Sequence, residues 1–278
     1  MTRPTSLVHP TAVIDPEANV EEPVRVGPFA VIGPGVSIGS GTSIGPHAVV
    51  EKDTAIGANC KVYASAVLGG DPQDLKYEGE ESSLVVGPGT TIREFATLNR
   101  GTAASGETRV GKECLIMAYA HIAHDCIVGD KVVVSNAVNM GGHVEIEEGA
   151  VIGGLTAIHQ FVRIGRHSFC GGGSRVTQDI PPFMKVAGNP VRLYGLNSVG
   201  LKRKNMSEQV LSSLRKAYQD LFQSKMNIGQ ALEYLEQKRN LTNEVSELVH
   251  FIRSSSRGIV TSGKSPYSTG QENNHSRV

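Results

Sequence analysis

Nine histidines are spread through the 278 residues, and four of them, His121, His124, His143 and His159, crowd between residues 121 and 159. Neutral imidazole is the natural general base near pH 7, because its unperturbed pKa is about 6.5. Asp125 follows His124 directly, so a carboxylate is available to fix that ring's tautomer. Gly141 and Gly142 precede His143; a glycine lets a backbone N–H approach a reacting carbonyl and stabilise a developing oxyanion. No serine or cysteine nucleophile accompanies the group, since Cys126 falls where a side chain is expected to face inward. Direct transfer, with the base activating a substrate hydroxyl, suits these residues better than a covalent intermediate. Imidazoles clustered in space also have the chemistry to hold zinc.

What must position them is a six-residue beat. Aliphatic residues fall at Val8, Ile14, Val20, Val26 and every sixth position to Leu68, again at Val86, Ile92 and Leu98, and from Val110 through Ile122, Met140 and Ile158 to Val176. Gly often follows the aliphatic, and the fifth position is usually small. Neither a helix nor an ordinary strand has this period. It predicts a mainly β fold, a left-handed parallel β-helix in which three hexads close one triangular coil. Coils stacked ~4.8 Å apart give a prism of roughly 40 Å. The first and fifth positions point inward, and the stretch between them takes in the corner, where Gly is expected to relieve backbone strain. The hexads starting at Ile122, Met140 and Ile158 are one coil apart, so they stack on one edge. That brings His124, His143 and His159 to the corner side of three consecutive coils, with His121 just around it. A core histidine would need an inward position, which none of the four holds.

Around this frame the chain divides into residues 1–190, the prism, with a polar loop expelled at 71–85, then a small C-terminal α-helical domain over 191–258. The remainder, 259–278, is Ser/Gly/Asn-rich and reads as a disordered tail. Ser207 and Thr242 read as helix N-caps. Expelled loops usually serve binding, whereas the shorter break at 103–109 reads as a tolerated insertion. Formal charge is zero, which argues against a nucleic-acid partner. No stretch approaches a transmembrane span, the N-terminus lacks a signal-peptide core, and four cysteines at inward positions suit a reducing cytoplasm.

The segment His121-Ile122-Ala123-His124-Asp125-Cys126, with Gly141-Gly142-His143 and Ala157-Ile158-His159-Gln160-Phe161, resembles the UDP-N-acetylglucosamine O-acyltransferases of lipid A biosynthesis. Gln73-Asp74-Leu75-Lys76-Tyr77, Asn99-Arg100-Gly101-Thr102, Gln178-Asp179-Ile180-Pro181-Pro182 and Gly195-Leu196-Asn197 extend the likeness over residues 8–259. The resemblance implies a cytoplasmic homotrimer with sites between subunits, and 3-hydroxyacyl transfer from acyl carrier protein to the glucosamine 3-position of UDP-N-acetylglucosamine. The carrier thioester is the donor and no further cofactor or metal is implied. His124 is then the base, Asp125 its orienting partner, and the Gly142 N–H faces the oxyanion. His121, His143, His159 and Gln160 would line the sugar and pantetheine. Asp74 and Lys76 would reach a neighbour's substrate, and Asn197 and Arg203 would hold the nucleotide end. Gly172 stands where the family measures acyl length, and glycine there implies a long chain, about C14. An acidic carrier is expected to dock on Lys202 and Lys204, beside Arg203.

Two other readings use the same prism. The related UDP-sugar N-acyltransferase carries a uridine-binding domain before its repeat, for which a repeat starting at Val8 leaves no room. A zinc lyase of the γ-type carbonic anhydrase kind would use the histidines as ligands. The spacing alone leaves open a 3-hydroxyl or a 3-amino acceptor.

Overall fold

The computed structural model of the chain describes residues 7–238 and 240–262. Between Leu7 and Val176 lie twenty-six short strands, three to a coil. From Val26 to Val176 every aliphatic of the beat is buried, while Ile14 and Val20 are half-buried and Val8 is exposed in the first coil. Each strand pairs in parallel with the strand one coil away; Val31–Ile32, for example, lies between Val13–Ile14 and Val49–Val50. Three faces result, beginning at Leu7–Val8, Val13–Ile14 and Asn19–Val20. Fifth-position residues such as Ala30, Ala48, Ala66 and Ala120 complete the core, with all four cysteines buried as free thiols.

The corner sits at position four. From Val26 onward most position-four residues are left-handed, with φ from 54° at Ala137 to 63° at Phe161 among the non-glycines. Val, Ile and Thr occupy none of these corners, because a branched Cβ clashes in that conformation. The glycines that follow the aliphatics do not relieve the corner, contrary to the sequence expectation. They make room for the next coil: a Cβ on Gly39 would lie 2.6 Å from the Ala58 amide nitrogen, and on Gly57 2.7 Å from that of Pro88.

Both interruptions leave the prism at the same edge, between the second and third faces. The first is shorter than expected, because the strand Ser83–Val86 already pairs with Thr54–Ile56 and Glu107–Val110. The expelled part is therefore 71–82. Arg100, almost wholly buried, holds its base: the guanidinium donates to Gly69 O at 2.8 Å, to the Tyr77 hydroxyl at 2.7 Å and to the Asp71 carboxylate.

The prism also runs past residue 190. Met184–Ala187 extends the first face and Arg192–Leu196 adds an antiparallel strand beyond it, so the helical part starts at α1, Ser198–Arg203. Then come α2, Glu208–Phe222, α3, Ile228–Glu236, and α4, Asn243–Ser254. Ser207 and Thr242 cap α2 and α4 as their side chains suggest. Leu211, Leu214, Leu232, Leu235 and Leu248 make the helical core. Arg166 ties α4 to the prism through Glu247, with donor distances of 2.6 and 2.9 Å. The expected tail begins later than 259, since Ile259 and Val260 are buried and the Val260 N–H donates to Asp179 O at 2.9 Å. Residues 263–278 of that tail lie outside the described residues. No helix among the described residues is long and apolar enough to cross a membrane.

Candidate active site

At the edge between the second and third faces, position three carries Arg100, His124, Gly142 and Gln160 in successive coils, and position four carries Asp125, His143 and Phe161. Asp125 and His143 are both left-handed corners, with φ of 59°, so their side chains leave the prism together. His124 Nδ1 lies 2.7 Å from Asp125 Oδ2, and only 11% of the His124 side chain is exposed. That contact fixes the ring and leaves Nε2 to face a substrate. Gly142 lies under the imidazole: a Cβ there would stand 2.7 Å from Nε2. Its N–H meets no acceptor among the described residues.

Asp125 is buried. Burial pushes its carboxyl up, yet hydrogen bonds from Ser105, the Thr102 N–H, His124 and the Thr102 hydroxyl outweigh that and hold it down at about 2. The carboxylate is therefore charged across the physiological range and able to stabilise a His124 imidazolium. His143 Nε2 stands 3.6 Å from Asp125 Oδ2, with its ring edge-on to His124 at 5.3 Å and stacked on Phe161 at 4.5 Å. His121 Nδ1 pairs with Thr97 Oγ1 at 2.8 Å, and burial, then the neighbouring His124, lowers its pKa. The donor atoms of His124, Asp125 and His143 lie within 4.8 Å of one another. Four hydrogen bonds already occupy the Asp125 oxygens, so the set reads as a proton-handling dyad rather than a metal cage.

A family model described as UDP N-acetylglucosamine O-acyltransferase, domain 2, matches residues 179–260. The bacterial transferase hexapeptide model matches 17–52, 35–70 and 107–142. The acyl-[acyl-carrier-protein]–UDP-N-acetylglucosamine O-acyltransferase of Verminephrobacter eiseniae is 44% identical over 92% of this chain and 99% of its own. That of Burkholderia orbicola is 45% identical over 91% and 98%. The chain belongs to that O-acyltransferase family. The Moraxella catarrhalis UDP-N-acetylglucosamine O-acyltransferase structure superposes with a TM-score of 0.88 at 37% identity, covering 91% of this chain and 99% of that one. Membership sets aside the N-acyltransferase and zinc-lyase readings.

Within one O-acyltransferase chain, the residues expected to share a site lie in several places. His121, His124, Asp125, Gly142 and His143 come together as expected. His159 is turned away and exposed, its Nδ1 3.1 Å from Gln160 O and 3.3 Å from Arg257; Gln160 is exposed beside it. Asp74 accepts from the Lys76 N–H at 3.0 Å, shaping the tip of the expelled loop. No hydrogen bond or ion pair joins either residue to the dyad among the described residues. Asn197 caps α1: its Oδ1 accepts from the Gly200 N–H at 3.2 Å and its Nδ2 donates to His167 O at 3.0 Å. Arg203 and Lys204 line a cleft of about 620 Å³ with Asn197, Phe169 and Lys185 on the first face. Lys202 lies 3.8 Å from Glu208, so its charge is partly countered. Gly172 lies on the edge between the first and second faces, where a Cβ would stand 3.0 Å from Gly154 O.

Several residues in and around the site had no role in the sequence reading. Thr102 and Ser105 grip Asp125, and Arg100 holds the expelled loop. The 103–109 break is therefore part of the site rather than a tolerated insertion. Its Ser105, twenty residues from Asp125, has no address in an 18-residue coil.

Proposed function

We infer that the chain transfers a 3-hydroxyacyl group from acyl carrier protein to the 3-hydroxyl of the glucosamine in UDP-N-acetylglucosamine, the first step of lipid A biosynthesis. The observation that carries this reading is the buried His124–Asp125 pair set against the Gly142 N–H, in a chain of this family. His124 Nε2 takes the proton of the 3-hydroxyl as that oxygen bonds to the thioester carbonyl carbon. The carbonyl oxygen becomes an oxyanion beside the Gly142 N–H. Collapse breaks the C–S bond, and His124 returns the proton to the departing pantetheine thiolate. Asp125 stays ionised and stabilises the imidazolium between the two steps. The carrier thioester supplies the acyl group, and no cofactor enters the reaction.

We also propose a cytoplasmic homotrimer with sites between prisms. Two observations support it. The dyad, the Asn197–Arg203 cleft and Gly172 lie at different places around one prism, and an adjacent copy would bring them to a common substrate. Between the first and second faces, moreover, runs an exposed apolar edge: Phe29, Phe95, Tyr119 and Leu155 are 56%, 49%, 61% and 75% exposed. A stripe of that kind calls for a protein partner. The remaining expected roles belong to this arrangement: Asp74 and Lys76 reaching a neighbour's sugar, His121, His143, His159 and Gln160 lining sugar and pantetheine, and Lys202 and Lys204 receiving the acidic carrier.

Purified protein supplied with 3-hydroxyacyl carrier thioesters and UDP-N-acetylglucosamine tests the reaction. The expected product is the 3-O-acyl nucleotide sugar; no acyl-sugar with any chain length would end this reading.

A further inference from the structure

A histidine base needs one orienting carboxylate contact, yet Asp125 carries three more donors, from Thr102 and Ser105 at the second break in the repeat. The Thr102 N–H donates to Oδ1 at 2.9 Å and the Thr102 hydroxyl to Oδ2 at 2.8 Å. The Ser105 hydroxyl donates to Oδ1. Ser105 has one proton and a second acceptor in reach, Glu107 O at 2.9 Å; the charged and nearer Asp125 oxygen takes it. Among the described residues, Oδ1 has no hydrogen-bond partner outside Thr102 and Ser105.

We propose that Ser105 and Thr102 are positioning residues for acyl transfer, acting through Asp125 to set the orientation and base strength of His124. The proposal rests on the function inferred above. A carboxylate that serves several donors spends its charge among them and holds each less firmly. With Ser105 gone, more of that charge falls on His124, so the imidazolium is better stabilised and the base stays protonated to higher pH. The other ionisable groups around the pair do not replace that contact. His121 lies on the same coil and faces Thr97. His143 approaches Oδ2, not Oδ1. Glu80, from the expelled loop, accepts from the Ala103 N–H at 3.0 Å and adds negative charge nearby. The Cys126 thiol, pushed up to about 12 by burial, stays neutral behind the pair. Arg100 is turned to Asp71.

The test is Ser105→Ala, with Ser105→Thr as the variant that returns the hydroxyl. Ser105 is exposed apart from this contact, and a melting curve checks that the fold is kept. The acidic limb of the kcat/KM profile should move upward by about half to one pH unit, with kcat on the plateau falling less than about tenfold, and Ser105→Thr should restore both. The His124 imidazole resonance, followed by NMR in the substrate-free protein, should titrate upward by the same amount. An unmoved limb together with an unmoved resonance in Ser105→Ala overturns the proposal. If the resonance moves while the wild type fails to acylate the nucleotide sugar, the positioning stands and the inferred reaction falls.

Discussion

Two edges of this prism are built by the same backbone rule and carry different side chains. On the edge between the first and second faces, the left-handed corners are Phe29, His47, Ser65, Phe95, Tyr119, Ala137 and Leu155. Their rings stack on one another, Phe29 on His47 and Phe95 on Tyr119, each pair at 5.1 Å. On the edge between the second and third faces, the corresponding corners include Asp53, Asp125, His143 and Phe161, and both inserted segments leave the prism there. A corner needs only a side chain that tolerates positive φ. The repeat thus fixes where the backbone turns and leaves the outward side chain free, so one edge carries the His124–Asp125 pair and the other an exposed apolar stripe.

The chemical edge breaks most sharply at His124. His124→Ala should lower turnover by ~10²–10⁴ with an unchanged melting temperature, because a corner-side residue adds little to the core. A folded variant that keeps most of its turnover would remove His124 as the base.

The apolar edge is tested by charge. Phe95→Asp with Tyr119→Asp should split the assembly into single prisms in sedimentation, with activity at low protein concentration falling by roughly tenfold or more as shared sites separate. Particles of unchanged mass would place the interface elsewhere.

Gly172 lies on that same apolar edge, one coil beyond Leu155, and a side chain there would press on Gly154 O. Gly172→Met should favour C10 over C14 3-hydroxyacyl carriers by several-fold, since each methylene denied burial forfeits ~0.8 kcal/mol. An identical chain-length profile in competition would move the ruler off this edge.

The third edge supplies the mildest comparison, through His167. Burial, then the charges of Lys204 and Arg166, bring its pKa down to about 4 from 6.5, against an upward pull from Glu148. The folded state therefore binds fewer protons than the unfolded chain, and the contribution is fully present above pH 6.5 and lost as pH falls towards 4. His121 shifts in the same direction, so the readout is the difference between wild type and His167→Asn in urea. That difference should narrow over this window; a constant gap would mean that His167 does not charge on unfolding.

The hexads were legible because an inward aliphatic every sixth residue has no other physical use. The coil period then placed His124 over Gly142 and beside His143 correctly. It is silent where register is interrupted. Thr97 stacks beneath His121 at a separation of 24 residues, not 18, because the second insertion adds a hexad's worth of chain. For the same reason Ser105 could not be paired with Asp125. Glycine was misread because its two uses, a corner and a close coil-to-coil approach, leave the same letter in the sequence. Asn197, expected at the nucleotide, has both ends of its side chain engaged in capping α1 and holding His167, contacts that only folded geometry displays.

The two ends of the prism are also unlike. Leu7–Val8 has a strand neighbour on one side only among the described residues, whereas the last coil lies under a hairpin, four helices and the Ile259–Val260 return. A stack whose units touch only their neighbours comes apart like a zipper with one closed end. Opening is expected to start at the first coil, where amide protons should exchange earliest, each further coil lost exposing the next. His124 sits in the sixth coil, above the Arg100 staple that pins the expelled loop, so fraying from the first coil should cross the coils before it without disturbing the His124–Asp125 pair.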